Sequence, residues 1–146
     1  MSGRLHHLLD TNILVHAHTS LSSQKSERAR DLLARLGRGG QSAVSVQSLS
    51  EFSRIMMKLG APLADIRLYK SRIERAFSAL LVTEFVVDEA LRGVEKYKLP
   101  FYDAHIWAVA RMNQIPRLLT EDFAIGTVLD GVEFINPLAS SEPTTK

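Results

Sequence analysis

Carboxylates are the side chains of this sequence whose positions could do chemistry. Asp10 follows one apolar run, and Asp122 follows a second apolar run that ends in "LLT". Asp103 lies in "FYDAHIWAVA", where helical spacing places it on the apolar stripe with Trp107, a costly position for an unpaired carboxylate. Acids drawn close together repel one another by about 1 to 4 kcal/mol per pair unless a cation neutralises them. Hard divalent cations such as Mg²⁺ and Mn²⁺ prefer oxygen ligands and can activate water for phosphodiester cleavage.

Each acid also has a purely structural explanation. Asp10 could cap a helix, and Asp122 could occupy a turn or cap a short helix. A lysine or an arginine, instead of a metal ion, could pair with Asp103. Glu51 lies beside basic residues on the flank of a predicted helix, a position typical of a solvated surface residue. The residues alone therefore leave the metal site and the structural explanation both open.

Other residue types offer weaker candidates. The sequence has no cysteine and lacks HExxH, GxSxG and GxGxxG patterns, so it gives no sign of a thiolate zinc site or a nucleotide-binding loop. His105 falls on the opposite side of its predicted helix from Asp103, and we expect it at the surface or in contact with a partner. The aromatic residues of "YKLPFY", 97 to 102, could stack on a base or pack in the core.

Composition indicates an ordinary globular chain. Of its 146 residues, 45% are hydrophobic and 23% charged, and we expect one domain over 1–138 followed by a polar, flexible tail over 139–146. The formal net charge of +2 permits a polyanionic partner without requiring one. No stretch has the apolar length of a signal peptide core or a membrane span, so we expect a cytoplasmic protein.

Short apolar segments alternate with helical patterns along the chain. The predicted strands cover residues 5–9, 42–45, 80–87, 115–120 and 131–137. Two long amphipathic helices, over 46–59 and 63–80, are expected to form a hairpin. This alternation favours a parallel sheet covered by helices on both faces, with ligands beyond the carboxyl ends of its strands. Asp10 follows one such end, and Thr120, Glu121 and Asp122 follow another, so these side chains could converge.

In their order along the chain, the segments that carry the acids resemble the motifs of the PIN-domain family, and specifically of its VapC-type toxin branch. "LLDTNILVHA", "SVQSLSEFSRIMMK", "LPFYDAHIWAVA" and "LLTEDFAIG" match the four motifs, and "GVEFINPL" resembles the closing strand. The matches run from residue 8 to about residue 138. The resemblance implies a three-layer α/β/α PIN-like fold with a central, mainly parallel sheet of about five strands.

The resemblance also implies a Mg²⁺- or Mn²⁺-dependent endoribonuclease that hydrolyses RNA phosphodiester bonds. The acids that it implies as catalytic residues and metal ligands are Asp10, Glu51, Asp103 and Asp122. Asn12 and Thr120 would orient these acids or a bound water. This replaces the surface interpretation of Glu51, whereas Glu121 could share or take over the role of Asp122.

Partners follow from the same resemblance. Toxins of this branch usually form homodimers, and an antitoxin silences them by inserting its tail, often with an arginine, into the acidic groove. The hairpin over 46–80 would hold that antitoxin. Its basic residues would border an RNA path or form a solvated face, and they are Arg67, Lys70, Arg72 and Arg75. We expect an RNA substrate, a cognate antitoxin and no membrane contact.

Two other functions stay open at the level of sequence. The chain could be a housekeeping PIN nuclease that processes RNA and has no antitoxin. It could also be a non-catalytic module that binds RNA or protein through the same fold. Intact acids at all four motif positions count against the second alternative, because an inert copy would have no reason to keep them.

Overall fold

The computed structural model describes residues 4–123 and 126–139 of the chain. Within these residues, a six-stranded sheet has the order β3-β2-β1-β4-β6-β5. The strands are β1 (His7–Leu9), β2 (Ser42–Ser45), β3 (Ser78–Leu80), β4 (Arg117–Leu119), β5 (Val128–Leu129) and β6 (Val132–Ile135). All neighbouring strands are parallel except β5 and β6. The predicted tail lies, except for residue 139, outside the described residues.

Helices cover both faces of this sheet. They are α1 (Thr11–Ala17), α2 (Ser23–Gly39), α3 (Val46–Lys58), α4 (Leu63–Ala76), α5 (Glu84–Tyr97) and α6 (Phe101–Met112). None of these six helices in the described part of the chain is both long and apolar enough to cross a bilayer. The helices and the sheet together form the three-layer α/β/α arrangement that the sequence predicts.

The two core layers follow from the alternation of side chains along the central strands. One layer, against α5 and α6, contains Leu8, Ala43 and Leu118. The opposite layer, against α1 to α4, contains their chain neighbours Leu9, Val44 and Leu119. Successive residues of a strand point to opposite faces, so strands buried on both faces read as continuous apolar runs. This pattern explains why such short strands can be recognised in the sequence.

The third strand is shorter and earlier than predicted. The sequence predicts a strand over 80–87, but β3 ends at Leu80 and α5 begins at Glu84. Val86, Ala90 and Gly93 are buried at helical spacing in α5. The apolar run 80–87 contains β-branched residues and imitates a strand, but the helical period continues through it. The predicted helix over 63–80 likewise ends at Ala76, where the backbone becomes extended.

The sheet topology brings three chain segments to one edge. β1 lies between β2 and β4 and is parallel to both. The residues at which these three strands end, or that directly follow them, therefore lie side by side at the carboxyl edge of the sheet. They are Asp10 at the start of α1, Ser45 at the start of α3, and Thr120 in the loop after β4.

Candidate active site

Asp10 is fixed at the junction of β1 and α1. Its backbone N–H donates to the carbonyl oxygen of Leu119 at 2.9 Å, which extends the pairing of β1 with β4. Its Oδ1 accepts a hydrogen bond from the backbone N–H of Thr11 at 2.7 Å. Its Oδ2 accepts one from the hydroxyl of Thr120 at 2.8 Å. Asp10 is therefore both a helix cap and an oriented carboxylate, so the two explanations of this residue do not exclude each other.

Thr120 organises the polar groups around Asp10. Its side chain is buried, with 1% of its surface exposed. Besides donating to Asp10, its Oγ1 accepts hydrogen bonds from the backbone N–H of Asp122 at 3.2 Å and from Nδ2 of Asn12 at 3.4 Å. A hydroxyl offers one donor and two acceptor positions, and all three are used here. Thr120 therefore links the loop after β4 to the start of α1.

The aspartates share one electrostatic environment that disfavours negative charge. Burial first, and then the charges of Asp122 and Asp103, raise the pKa of Asp10 to about 6 in spite of its two hydrogen bonds. Burial also raises the pKa of Asp103, and the charge of Asp122 adds to that effect. The structure thus brings these three predicted site residues together. Because they repel one another, a bound cation would relieve the repulsion.

Asp122 and Glu121 are neighbours in sequence but have different surroundings. Glu121 contacts Nε2 of His16 at 2.8 Å and accepts a hydrogen bond from Nζ of Lys25 at 3.0 Å. Burial acts to raise the pKa of Glu121, but these contacts keep it below its ordinary value. The pKa of Asp122 is raised, first by burial and then by the charge of Glu121. Glu121 therefore has its own cationic partner, whereas Asp122 interacts electrostatically with Asp10 and Asp103.

Glu51 reaches the same region from α3. Its Oε1 accepts a hydrogen bond from the hydroxyl of Thr11 at 2.8 Å, and its Oε2 accepts one from Nε2 of Gln47 at 3.3 Å. The helical pattern of α3 alone predicts a surface position because the flank that carries Glu51 is polar. That flank faces the start of α1, and only the long-range pairing with Thr11 reveals it. The motif resemblance, and not the periodicity, indicates this residue.

These side chains line a cavity of about 430 Å³. The acids among its lining residues are Asp10, Glu51, Asp103, Glu121 and Asp122. Tyr102, His105 and the exposed Arg54 also line it. The cavity therefore has a wall of carboxylates, an aromatic wall and one exposed guanidinium group.

The predicted surface position of His105 is wrong. Only 6% of its surface is exposed, and it lines the cavity. Helix α6 is buried on every side from Ala104 to Ala110, because it packs against both α5 and the sheet. The side of α6 opposite Asp103 therefore does not face solvent. Burial lowers the pKa of His105, and the nearby charge of Glu51 opposes that shift. The continuous apolar run after Asp103 was the sequence signal for this burial.

The chemistry of the donor groups fits a hard divalent cation. The cavity offers carboxylate oxygens whose negative charges repel one another. It also offers Oδ1 of Asn12, a buried oxygen with no hydrogen-bond partner. The carboxylate of Asp103 makes no hydrogen bond or ion pair with another described residue. Within residues 4–123 and 126–139, no three Asp, Glu or His side chains stand close enough together to form a ligand group. The acids therefore line one cavity without forming a compact ligand group among the described residues.

Three solved structures with the same fold as this chain can be compared with it. A chain of a toxin–antitoxin complex from Klebsiella pneumoniae is 22% identical with a TM-score of 0.67, over 90% of this chain and 97% of that chain. VapC20 of Mycobacterium tuberculosis, a toxin that cleaves the sarcin–ricin loop, is 17% identical with a TM-score of 0.66, over 85% of this chain and 97% of that chain. A chain of VapBC2 of Rickettsia felis, bound to a DNA fragment from its promoter, is 18% identical with a TM-score of 0.62, over 81% of this chain and 89% of that chain.

At these identities the likeness concerns the fold. No curated protein sequence matches the chain. The family model described as "PIN domain" matches residues 7–128, which include β1, the hairpin of α3 and α4, and all of the acids at the cavity. The three-layer fold and this match agree with the motif resemblance found in the sequence. The chain belongs to the PIN-domain family.

Proposed function

We propose that this chain is a Mg²⁺- or Mn²⁺-dependent endoribonuclease and the toxin of a toxin–antitoxin pair. The observation that carries the proposal is that Asp10, Glu51, Asp103 and Asp122 line one cavity, where the raised pKa values of Asp10 and Asp103 agree with crowding of negative charge. Membership of the PIN-domain family supports the nuclease. The presence of this fold in a toxin–antitoxin complex and in the toxin VapC20 supports the biological role.

The four acids are the groups that would hold the metal. When bound, Mg²⁺ or Mn²⁺ would lower the pKa of an attacking water and stabilise the charge that develops on the phosphate. Thr120 and the N-terminus of α1 hold the two oxygens of Asp10 in fixed directions, while Thr11 and Gln47 do the same for Glu51. The chain's own contribution is thus two oriented carboxylates, those of Asp10 and Glu51, beside Asp103 and Asp122, whose mutual repulsion a cation would relieve.

The partner proposal concerns the hairpin of α3 and α4. The basic side chains of α4 are exposed, and they are Arg67, Lys70, Arg72 and Arg75. We infer that an antitoxin binds this hairpin and reaches the acidic cavity, which lies beside α3. A homodimer is part of the same proposal, and light scattering of the purified chain measures it directly.

The first test is cleavage of a labelled RNA pool by the purified chain in Mg²⁺, in Mn²⁺ and in EDTA. The expected result is metal-dependent cleavage that Asp10→Asn removes and that Asp88→Asn, an exposed acid on α5, leaves intact. A single-stranded DNA pool of the same design shows whether the activity is restricted to RNA. Equal cleavage by the Asp10→Asn variant would contradict the assignment of Asp10.

Growth separates a toxin from a housekeeping nuclease. Expression of the wild-type chain in bacteria should arrest growth, and the Asp10→Asn variant should not. Co-expression of a small open reading frame adjacent to the gene should restore growth. Normal growth with an active, soluble nuclease would favour a housekeeping role in RNA processing.

A further inference from the structure

The aromatic wall of the cavity is not explained by the packing of the core. Tyr102 is 64% exposed and Phe101 is 37% exposed at the start of α6, directly before Asp103. Their rings are in edge contact, with centroids 5.1 Å apart. Tyr97 differs, since its ring packs on the buried Trp107. Core packing therefore does not explain this exposed aromatic pair, of which Tyr102 lines the acidic cavity.

His105 joins this exposed pair to the acids. Its ring centroid lies 6.2 Å from that of Tyr102 and 6.0 Å from that of Phe101. It is buried, lines the cavity, and has no hydrogen bond with another described residue. Its ring nitrogens are thus available to a ligand that enters the cavity.

We propose that Tyr102 and His105 form a subsite for one unpaired nucleobase of the RNA substrate, beside the phosphate that is cleaved at the acids. The base stacks on the ring of Tyr102, and His105 hydrogen-bonds to its edge. This inference rests on the proposed nuclease function, and it adds the recognition of a base to it. Tyr102 and His105 would then determine the sequence preference of cleavage.

The arrangement of charge and aromatic surface favours a base over other occupants of this wall. A nucleotide has a charged phosphate and an apolar, flat base that lie on opposite sides of its ribose. The cavity lining combines both kinds of group, because it holds the acids together with Tyr102 and with His105, whose ring lies one helical turn further along α6. Unpaired bases are commonly stacked on aromatic side chains and recognised through hydrogen bonds to their edges.

The test measures binding without cleavage. In the Asp10→Asn background with Mg²⁺, fluorescence anisotropy gives the Kd of labelled RNA pentanucleotides that carry each of the four bases. An abasic ribose–phosphate chain of the same length is the reference. Stacking on one aromatic ring predicts that Tyr102→Ala weakens binding of at least one base-bearing chain by about 5- to 100-fold and leaves the abasic chain unchanged. Tyr102→Phe, which keeps the ring, should retain the affinity.

Matched controls separate this subsite from a general loss of structure. Phe85 is a similarly exposed aromatic on α5, 60% exposed and outside the cavity lining, so Phe85→Ala should change no Kd. His105→Ala should reduce the differences in Kd among the four bases and leave the abasic chain unaffected. Because His105 is buried, the melting temperature of this variant is measured alongside, and His105→Gln repeats the comparison with a polar side chain.

The outcomes distinguish this inference from the proposed function. Equal effects of Tyr102→Ala on base-bearing and abasic chains, or no effect on either, would overturn the subsite even if the wild-type chain cleaves RNA. No binding of any RNA chain would overturn it as well. Base-dependent binding that Tyr102→Ala removes would support the subsite even if no metal-dependent cleavage is found, in which case only the nuclease proposal fails.

Discussion

At the scale of single residues, Asp10 is the group whose surroundings conflict most with its charge. Its raised pKa means that folding favours the protonated form. This contribution to stability is present below the unfolded-state pKa of 3.8, and it is lost as the pH rises through about 6. At neutral pH and without metal, the ionised carboxylate therefore lowers the stability of the fold.

Replacing Asp10 by asparagine should therefore stabilise the metal-free protein. A shift of about 2 pKa units corresponds to about 3 kcal/mol, so we expect Asp10→Asn to raise the free energy of unfolding at pH 7.5 by about 1–3 kcal/mol. The gain should shrink as the pH falls below 6, because Asp10 then becomes protonated. Urea unfolding in EDTA at several pH values measures this effect.

The exposed Asp88 is the matched control for that measurement. Asp88→Asn should change the free energy of unfolding by less than about 0.5 kcal/mol over the same pH range. A loss of stability in Asp10→Asn at pH 7.5 would mean that the hydrogen bonds of the carboxylate outweigh its burial and its repulsion.

The surroundings of Glu121 and Asp122 predict different effects on activity. Glu121→Gln keeps an oxygen for Lys25, and the charge that it removes is one already paired with Lys25, so cleavage should stay within about threefold of the wild-type rate. Asp122→Asn removes one of the three coupled aspartates and should slow cleavage by at least about tenfold. Initial rates on labelled RNA with Mg²⁺ measure both variants. The opposite order would make Glu121 the site acid.

What the sequence reveals at this scale depends on whether the signal is local. Asp10 and Asp103 can be recognised as candidate site residues because each lies among apolar residues, where a carboxylate is normally absent. Glu51 cannot be found in this way, since its partner Thr11 lies 40 residues away along the chain. The sequence misplaces His105 because a helical wheel shows which side of a helix carries polar residues. It does not show whether another helix or the sheet covers that side.

At the scale of elements, α5 and α6 pack with almost no space between them. Gly93 of α5 faces the fully buried Trp107 of α6, and a Cβ on Gly93 would lie 2.7 Å from Cζ3 of the indole ring. Trp107 cannot move freely, because its Nε1 donates a hydrogen bond to the carbonyl oxygen of Leu129 at 3.1 Å. This contact sets the distance between the two helices and so the position of Asp103 at the start of α6.

We expect Gly93→Ala to destabilise the protein by about 1–3 kcal/mol, despite the higher helix propensity of alanine. The control is Gly39→Ala at the end of α2, where an added Cβ meets no atom within 4 Å. That variant should be neutral or up to about 1 kcal/mol more stable. Denaturant unfolding of both variants measures the difference. Equal stabilities would mean that Trp107 can shift without cost.

Element boundaries follow from the same balance between local pattern and packing. The alternation of strands and helices, and hence the layered fold, could be predicted because doubly buried strands are short, continuous apolar runs. The start of α5 could not, since the apolar run 80–87 fits both a strand and the buried side of a helix. Contact with α6, to which Val86 and Ala90 contribute, decides in favour of the helix.

At the scale of the whole molecule, the parallel sheet converts distant motifs into one site. Asp10 and Asp122 are 112 residues apart, but β1 and β4 are neighbours, and their carboxyl ends lie at the same edge. Asp103 and Glu51 come from helices in opposite layers, on the two sides of that edge. The price of this arrangement is repulsion between acids, so the stability of the whole fold should depend on metal.

Mg²⁺ should therefore raise the melting temperature. A ligand at 100 times its Kd stabilises a folded protein by about 2.7 kcal/mol, which for a domain of this size corresponds to about 5–10 °C. The increase should be smaller at pH 5.5 than at pH 7.5, because a proton on Asp10, whose pKa is about 6, competes with the metal. Asp10→Asn should lose most of the increase, whereas Glu121→Gln, whose charge is already paired with Lys25, should keep it. A melting temperature that responds to Mg²⁺ equally in the wild type and in Asp10→Asn would place the bound ion elsewhere on the molecule. No response at saturating Mg²⁺ would mean that the acids do not act together.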